Sequence, residues 1–419
     1  MMLNWLYSLN GGSTGVAGTL ISLSLMLILG FAMTRLTKLM RLPNVTAYIL
    51  TGIILGPYGL DAISPSFIRG TEFVTDLALA FIAFSVGEHF EFRKLKKNGI
   101  KSAVVTLFES LAASVLVFLL THLFLGLDFI FSIVLSALAS ATAPASTMMT
   151  IRQTGAKGPY VDRLLQVVAM DDVVGLVAYS IAIATAAAAT HGAFGGSSFQ
   201  SIVLPLLINI LLMALGAGFA LLLKWMTPTR RTADNRLIIA IAILLLFSGV
   251  SALFGISPLL GCMTMGMVFA NMEGHEKLIK QLNYFNPPIL LIFFVRSGLS
   301  FDLGALTTST LVGSTPLVLV AVLYFFVRLV GKYAGSYLGA LAVQDPPEIR
   351  KYLGLALAPQ AGVAIGLSAM AARQLGPDIG GTLQTIILAS SVLYELIGPA
   401  SAKLGLYLAK SYSVPGDLP

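Results

Sequence analysis

The sequence predicts an all-α polytopic membrane protein with 13 transmembrane helices, built as two inverted repeats of six around one linking helix. Three observations carry that expectation: an extreme composition, a succession of apolar segments, and paired motifs half a chain apart. Of 419 residues, 57% are hydrophobic and 11% are charged, against about 25% charged in a soluble domain. A single cysteine, Cys262, excludes an internal disulfide framework and a multi-thiolate metal site. The four histidines, His89, His122, His191 and His275, show no ligand spacing, and no cofactor is expected.

In order, the apolar segments span 17–35, 43–58, 72–88, 100–126, 128–151, 161–189, 199–224, 235–253, 256–271, 282–299, 310–340, 351–372 and 381–408. They approach the roughly 20 residues that cross a bilayer; the second and ninth are short. The opening MMLNWLYSLNGGSTG lacks the basic stretch of a cleavable signal peptide, so the first segment is read as a span. Loops are brief, and no soluble domain is expected. Residues 1–190 form the first repeat, 191–232 the linking helix, 233–410 the second repeat, and 411–419 a short cytoplasmic tail.

The net charge of +7 needs no nucleic acid or other polyanionic partner. With the N-terminus outside, the basic residues collect in cytoplasmic loops, as in Arg35, Lys38 and Arg41, Arg93 to Lys101, Arg152 to Arg163, Lys224 to Arg236, Lys277 and Lys280, Arg350 and Lys351, and Lys403 and Lys410. Only Arg69 and Arg373 fall outside, while Arg296, Arg328 and Lys332 fall within segments. Such a bias is the positive-inside rule, and it puts the C-terminus in the cytoplasm.

The repeat shows in matched motifs. AFIAFSVGEHFEF (80–92) resembles LIFFVRSGLSFDL (291–303), ILTGIILGPYGLD (49–61) resembles LLGCMTMGMVFAN (259–271), and IRQTG (151–155) resembles ARQLG (372–376). Matched segments stand seven apart. An odd separation reverses orientation, and inverted repeats mark secondary transporters, whose sites lie where discontinuous helices meet at mid-membrane. The interruptions are visible as ASATAPAS (139–146), with Pro144, and ALAPQAGVAIG (356–366), with Pro359, Gln360 and Gly362. A simple proline kink in each is the plainer alternative; their matched positions favour broken helices.

Asp171 and Asp172 lie side by side on the sixth segment, within LLQVVAMDDVVGLVAYSIAIATAAAA. An ionised aspartate at the centre of a spanning helix costs roughly 2.5–3.5 kcal/mol. The pair therefore needs a partner, a water-filled cavity or a proton. A buried salt bridge accounts for one carboxylate more readily than for two. Lys332 and Arg328, one turn apart on the eleventh segment, are the candidate counter-charges, although a lysine there can also snorkel to the interface. Thr142, in the first interruption, is placed to offer oxygen to a cation. Glu88, Glu109, Glu395 and Arg296 are assigned to structural pairing.

Inverted repeats, broken segments five and twelve, MDDVVG on six and a basic residue on eleven together resemble the cation/proton antiporter superfamily, bacterial sodium–proton exchanger branch. The likeness runs over essentially the whole chain. It implies that Asp172 is the cation- and proton-binding carboxylate, with Asp171 partnering Lys332 and Thr142 assisting at the crossover. It also implies a homodimer in the bacterial cytoplasmic membrane, working by an elevator-like movement. Potassium-efflux relatives carry glutamine in place of the first aspartate and a large nucleotide-binding domain. This chain has Asp171 and ends at Pro419, so ligand-gated efflux is not expected. Many relatives also carry an Arg-Gly-Glu-like sequence in the second break, where this chain reads Pro359-Gln360-Ala361-Gly362.

The function expected is exchange of a monovalent cation, Na+ ahead of K+ or Li+, for protons by alternating access at the Asp171–Asp172 pair. Competition of cation and proton for one carboxylate couples the two fluxes without a second gate. An intramembrane aspartyl protease needs two carboxyls converging from separate helices, whereas helical neighbours diverge by about 100°. A sodium-coupled symporter of a small organic substrate is the nearer alternative, with Arg296 and Arg328 the only cations for an anionic cargo. A channel is a further alternative that accounts for the repeats less well.

Overall fold

The computed structural model describes residues 16–39, 44–88, 90, 92–190, 198–228, 230–253, 256–273, 276–304 and 310–412. His89, His191 and His275, the first 15 residues, most of the 411–419 tail, and the 191–197 start of the linking stretch lie outside them. The described chain is helical apart from one two-stranded hairpin, Leu311–Val312 with Thr315–Pro316, turning at Gly313 with φ +63°. That hairpin occupies the start of the eleventh apolar segment, because the positive φ at Gly313 turns the chain back before Leu317 can begin a helix.

In chain order the helices are α1 (Val16–Leu39), α2 (Asn44–Leu55), α3 (Pro65–Gly70), α4 (Phe73–Gly87), α5 (Phe92–Phe118), α6 (Phe129–Ser140), α7 (Pro144–Thr154) and α8 (Pro159–Thr190). They continue as α9 (Ser198–Met226), α10 (Ala233–Leu253), α11 (Leu259–Ala270), α12 (Glu276–Leu299), α13 (Leu317–Ala342), α14 (Pro347–Ala356), α15 (Gly362–Gly376) and α16 (Thr382–Leu408). Among the described residues, eight helical stretches are long and apolar enough to cross a bilayer, and α2, α4, α6 and α11 are apolar but shorter.

The fifth and twelfth apolar segments are each two helices. α6 stops at Ser140 and α7 restarts at Pro144, while α14 stops at Ala356 and α15 restarts at Gly362. Pro144 suits a first helical turn, where its missing N–H has no partner to lose. The gaps meet: the Ala143 amide donates to the Pro359 carbonyl at 2.9 Å.

Close backbone contacts fix the frame around the gaps. α2 crosses α12 where a Cβ on Gly52 would stand 2.8 Å from the Gly298 Cα, and α4 crosses α11 where a Cβ on Gly87 would stand 2.0 Å from the Met263 carbonyl oxygen. On α13, Gly331, Gly335 and Gly339 form one stripe at four-residue spacing against Val105, Phe108, Glu109 and Ala113 of α5. Lipid supplies no hydrophobic drive between helices, so such small-residue stripes give close van der Waals packing instead.

Candidate functional site

The glycine stripe decides which charges meet. Because α13 lies tight on α5, Lys332, next to Gly331, reaches Glu109, with Nζ 2.7 Å from Oε2. The same ammonium lies 2.8 Å from Oδ2 of Asp171 on α8 and donates to the Ser140 carbonyl at the end of α6. An ammonium has three N–H donors, and three acceptors surround this one. Ser110 completes the cluster by donating its hydroxyl to Asp171 Oδ1. Lys332, Asp171 and Glu109 are fully buried. Lys332 therefore does not snorkel.

Asp172 stands apart from that network. It is 1% exposed, yet neither carboxyl oxygen has a hydrogen-bond partner among the described residues. The hydroxyl of Thr142, in the first gap, is likewise buried and unpartnered. Gly175, one turn beyond Asp172, lets α8 close on this gap, since a Cβ there would be 3.0 Å from Ser140 Oγ and 3.5 Å from the Ala141 Cα. Buried oxygens without partners are costly in a low-dielectric interior. Oxygens of this kind beside freed helix ends are what a dehydrated monovalent cation needs.

Arg328 occupies the crossover. Its Nε donates to Ala139 O at 2.9 Å and Nη2 to Ala141 O at 2.7 Å, while Nη1 donates to Ala358 O at 2.9 Å. Carbonyls at the C-terminal ends of α6 and α14 lack helical partners and carry the negative ends of the helix dipoles. One guanidinium satisfies both ends, and it stacks 4.6 Å from the centre of the Tyr394 ring. Gln360 adds a neutral link, donating to Leu138 O at 2.7 Å and accepting from Tyr324 at 3.1 Å. Gly362 opens α15 beyond the second gap.

Lys332 and Asp171 are thus in contact, Arg328 is engaged with carbonyls rather than carboxylates, and Thr142, Pro144, Pro359 and Gln360 lie at the two gaps. Glu109 and Ser110 escaped sequence reasoning as site residues. Their signal is the one acid in VVTLFESLAAS, with Ser110 one of three hydroxyls there, which becomes informative once the glycine stripe on α13 is matched to α5. Glu88 and Arg296, also set apart in the sequence, lie elsewhere. Asn283 donates to Glu88 at 3.1 Å, Arg296 donates to Thr75 Oγ1 and Ile68 O, and Arg373 holds Asp76 through two bonds of 2.9 and 2.7 Å.

Comparison with known proteins agrees in kind. A sodium/hydrogen exchanger, transmembrane family profile matches residues 21–399. The chain is 26% identical over 360 residues to the Na(+)/H(+) antiporter NhaS4 of Synechocystis, covering 81% of this chain and 84% of that one. It is 22% identical over 386 residues to the ammonium/H(+) antiporter subunit AmhT of Alkalihalophilus pseudofirmus, covering 90% and 92%. The fold matches the sodium proton antiporter MjNhaP1 of Methanocaldococcus jannaschii with a TM-score of 0.75 at 18% identity, over 94% of this chain and 99% of that one. The chain belongs to the transmembrane sodium/hydrogen exchanger family of cation/proton antiporters, and it is a transporter rather than an enzyme.

Proposed function

We propose that this antiporter exchanges a monovalent cation, Na+ before K+ or Li+, for protons at Asp172, with Asp171 and Thr142 contributing oxygen. The observation that carries this is a charge imbalance in one buried cluster. Glu109 and Asp171 share Lys332, Arg328 is engaged with carbonyls, and no cation is paired with the adjacent Asp172 among the described residues. The deficit falls on Asp172, whose oxygens have no hydrogen-bond partner among the described residues. A proton or a monovalent cation each fills it, and the two exclude one another.

Thirteen spans in inverted repeats are the architecture that fits this role. The crossing of α2 with α12 and that of α4 with α11 support it, since the repeat pairs α2 with α11 and α4 with α12, so each contact is the other's counterpart. The protein works as a homodimer in the bacterial cytoplasmic membrane, its N-terminus outside, with the crossed breaks carried up and down as one body.

In proteoliposomes, Asp172→Asn keeps shape but removes the titratable charge, and it is expected to abolish cation-driven proton movement with each of NaCl, KCl and LiCl. Normal exchange by a folded Asn variant would move the site, with Asp171 next to be tested.

A further inference from the structure

We propose that Glu395 is a second proton-carrying carboxyl of the transport core, set against the second break as Asp172 is set against the first and held by Ser146. The inference rests on the antiport reading and adds a group to it. Each break is covered by a helix with an acid three residues before a glycine: Asp172-Val173-Val174-Gly175 on α8 and Glu395-Leu396-Ile397-Gly398 on α16. Gly175 admits the first break, and Gly398 admits the second, where an added Cβ would be 2.7 Å from Pro359 Cγ. The two acids therefore occupy matching places on the sixth and the thirteenth segments.

The proton is read from geometry and burial. Ser146 Oγ lies 2.6 Å from Glu395 Oε1 and 2.7 Å from Oε2. A serine hydroxyl has one hydrogen to donate. The two short contacts fit either one hydrogen shared between both oxygens or the carboxyl's own O–H donating to the Ser146 lone pair, and burial without a paired cation favours the second. Glu395 is fully buried, and no cation is paired with it among the described residues. An unpaired carboxylate in such a place is expensive, and a proton removes the cost.

Among the described residues no element packed on α16 pairs a charge with Glu395: α7 brings Arg152, whose side chain lies outside the described residues, and Lys332 of α13 is held by Glu109 and Asp171. α13 brings Arg328 and Tyr324, which bond the two breaks and Gln360. α15 brings Arg373, paired with Asp76, and α2 brings the half-buried Tyr48. α14 brings Glu348, Arg350, Lys351 and Tyr352, with Arg350 donating to Asp345 O. Asp378 sits in the turn that leads into α16, and Tyr394, beside Glu395, donates to Phe325 O at 2.9 Å. Ser391, one turn back on the face of Glu395, is buried with an unpartnered hydroxyl, a further group for a proton path.

When the core opens to water, the Glu395 O–H bond breaks and the proton passes to water. The carboxylate left behind keeps the Ser146 O–H as a donor. The reverse step on the other side reloads it. Each cycle then moves one proton more per cation than Asp172 alone would carry.

Two measurements on Glu395→Gln test this, with the parent's own exchange as the check on the antiport reading. At neutral pH, difference infrared spectra should lose the carbonyl band of one protonated carboxyl relative to the parent; retention of that band overturns the proposal. In proteoliposomes, the protons exchanged per cation, read from the pH gradient balancing a fixed cation gradient, should fall by one. An unchanged ratio would show a proton that never moves and would overturn it too. If Glu395→Gln folds but does not exchange, Ser146→Ala decides, because it leaves the carboxyl and removes its partner. A displaced pH profile of exchange supports the relay, and a profile superimposable on the parent's refutes it. A parent without cation-driven proton flux would instead sink the antiport reading itself.

Discussion

At Lys332 one ammonium serves Glu109, Asp171 and the Ser140 carbonyl, so its removal leaves two buried acids unpaired. Breaking a buried pair from one side costs about 3–5 kcal/mol. Lys332→Gln should therefore lower the melting temperature in detergent markedly. Adding Asp171→Asn should restore part of the loss, and adding Glu109→Gln should restore more, because each removes an uncompensated charge. Strictly additive losses would show that the three do not act as a unit. Current from reconstituted Lys332→Gln, set beside that of the parent, tells whether the lysine itself exchanges a proton. Thr142→Ala should be milder, raising the apparent KM for the cation while leaving maximal exchange near the parent's, since water can replace one oxygen ligand.

Much at this scale was legible beforehand because an apolar chain makes every charge conspicuous. Asp171, Asp172, Lys332 and Arg328 stood out for that reason alone. What the sequence withheld was assignment. Both Arg328 and Lys332 had the depth to meet an aspartate, and only the placement of the carbonyls from Ala139, Ala141 and Ala358 sends the guanidinium to the breaks. Glu109 was visible as an acid, but its partner depends on which helix α13 presses against.

At the scale of elements, the α5–α13 contact and the crossover carry the precision of the site. Gly335→Ala would bring a Cβ 2.5 Å from the Phe108 carbonyl oxygen. Such overpacking typically costs about 1–3 kcal/mol. Because Glu109 and Lys332 sit on these two helices, exchange should fall along with the melting temperature. A variant with parent stability and parent exchange would mean that the stripe does not set the ion pair. Arg328→Lys keeps the charge and loses the planar fork that reaches three carbonyls. It should lower both stability and exchange, whereas a merely electrostatic role predicts little change in either. The breaks themselves were legible from Pro144 and Pro359. The two-residue hairpin before α13 was not, since its residues read as the start of an apolar run and only the turn at Gly313 separates them.

For the whole molecule, the proposed orientation rests on where lysine and arginine collect. A C-terminal fluorescent fusion should fold and emit in the cytoplasm. A cysteine introduced at Ser197, in the stretch outside the described residues, should react with an impermeant reagent from outside. Reaction from the cytoplasmic side alone would break the thirteen-span arrangement. The proposed repeat rests on motif order, because spacing survives where residue identity does not. The matched glycine crossings, in contrast, are not marked in the chain: Gly52, Gly87 and Gly298 are 3 of 40 glycines.

The single guanidinium shared by both breaks also bears on how faithfully the machine turns over. If either break shifted alone, at least one of Arg328's charged hydrogen bonds would be forfeited, at about 1.5–3 kcal/mol. That makes solitary movement roughly tenfold to a hundredfold rarer than movement of the two together. Partial movements are the ones that would open a continuous aqueous thread past the carboxylates and let ions slip through uncounted. On the proposed antiport reading Arg328 is a guard against leakage, and its loss should raise passive cation conductance while it lowers exchange.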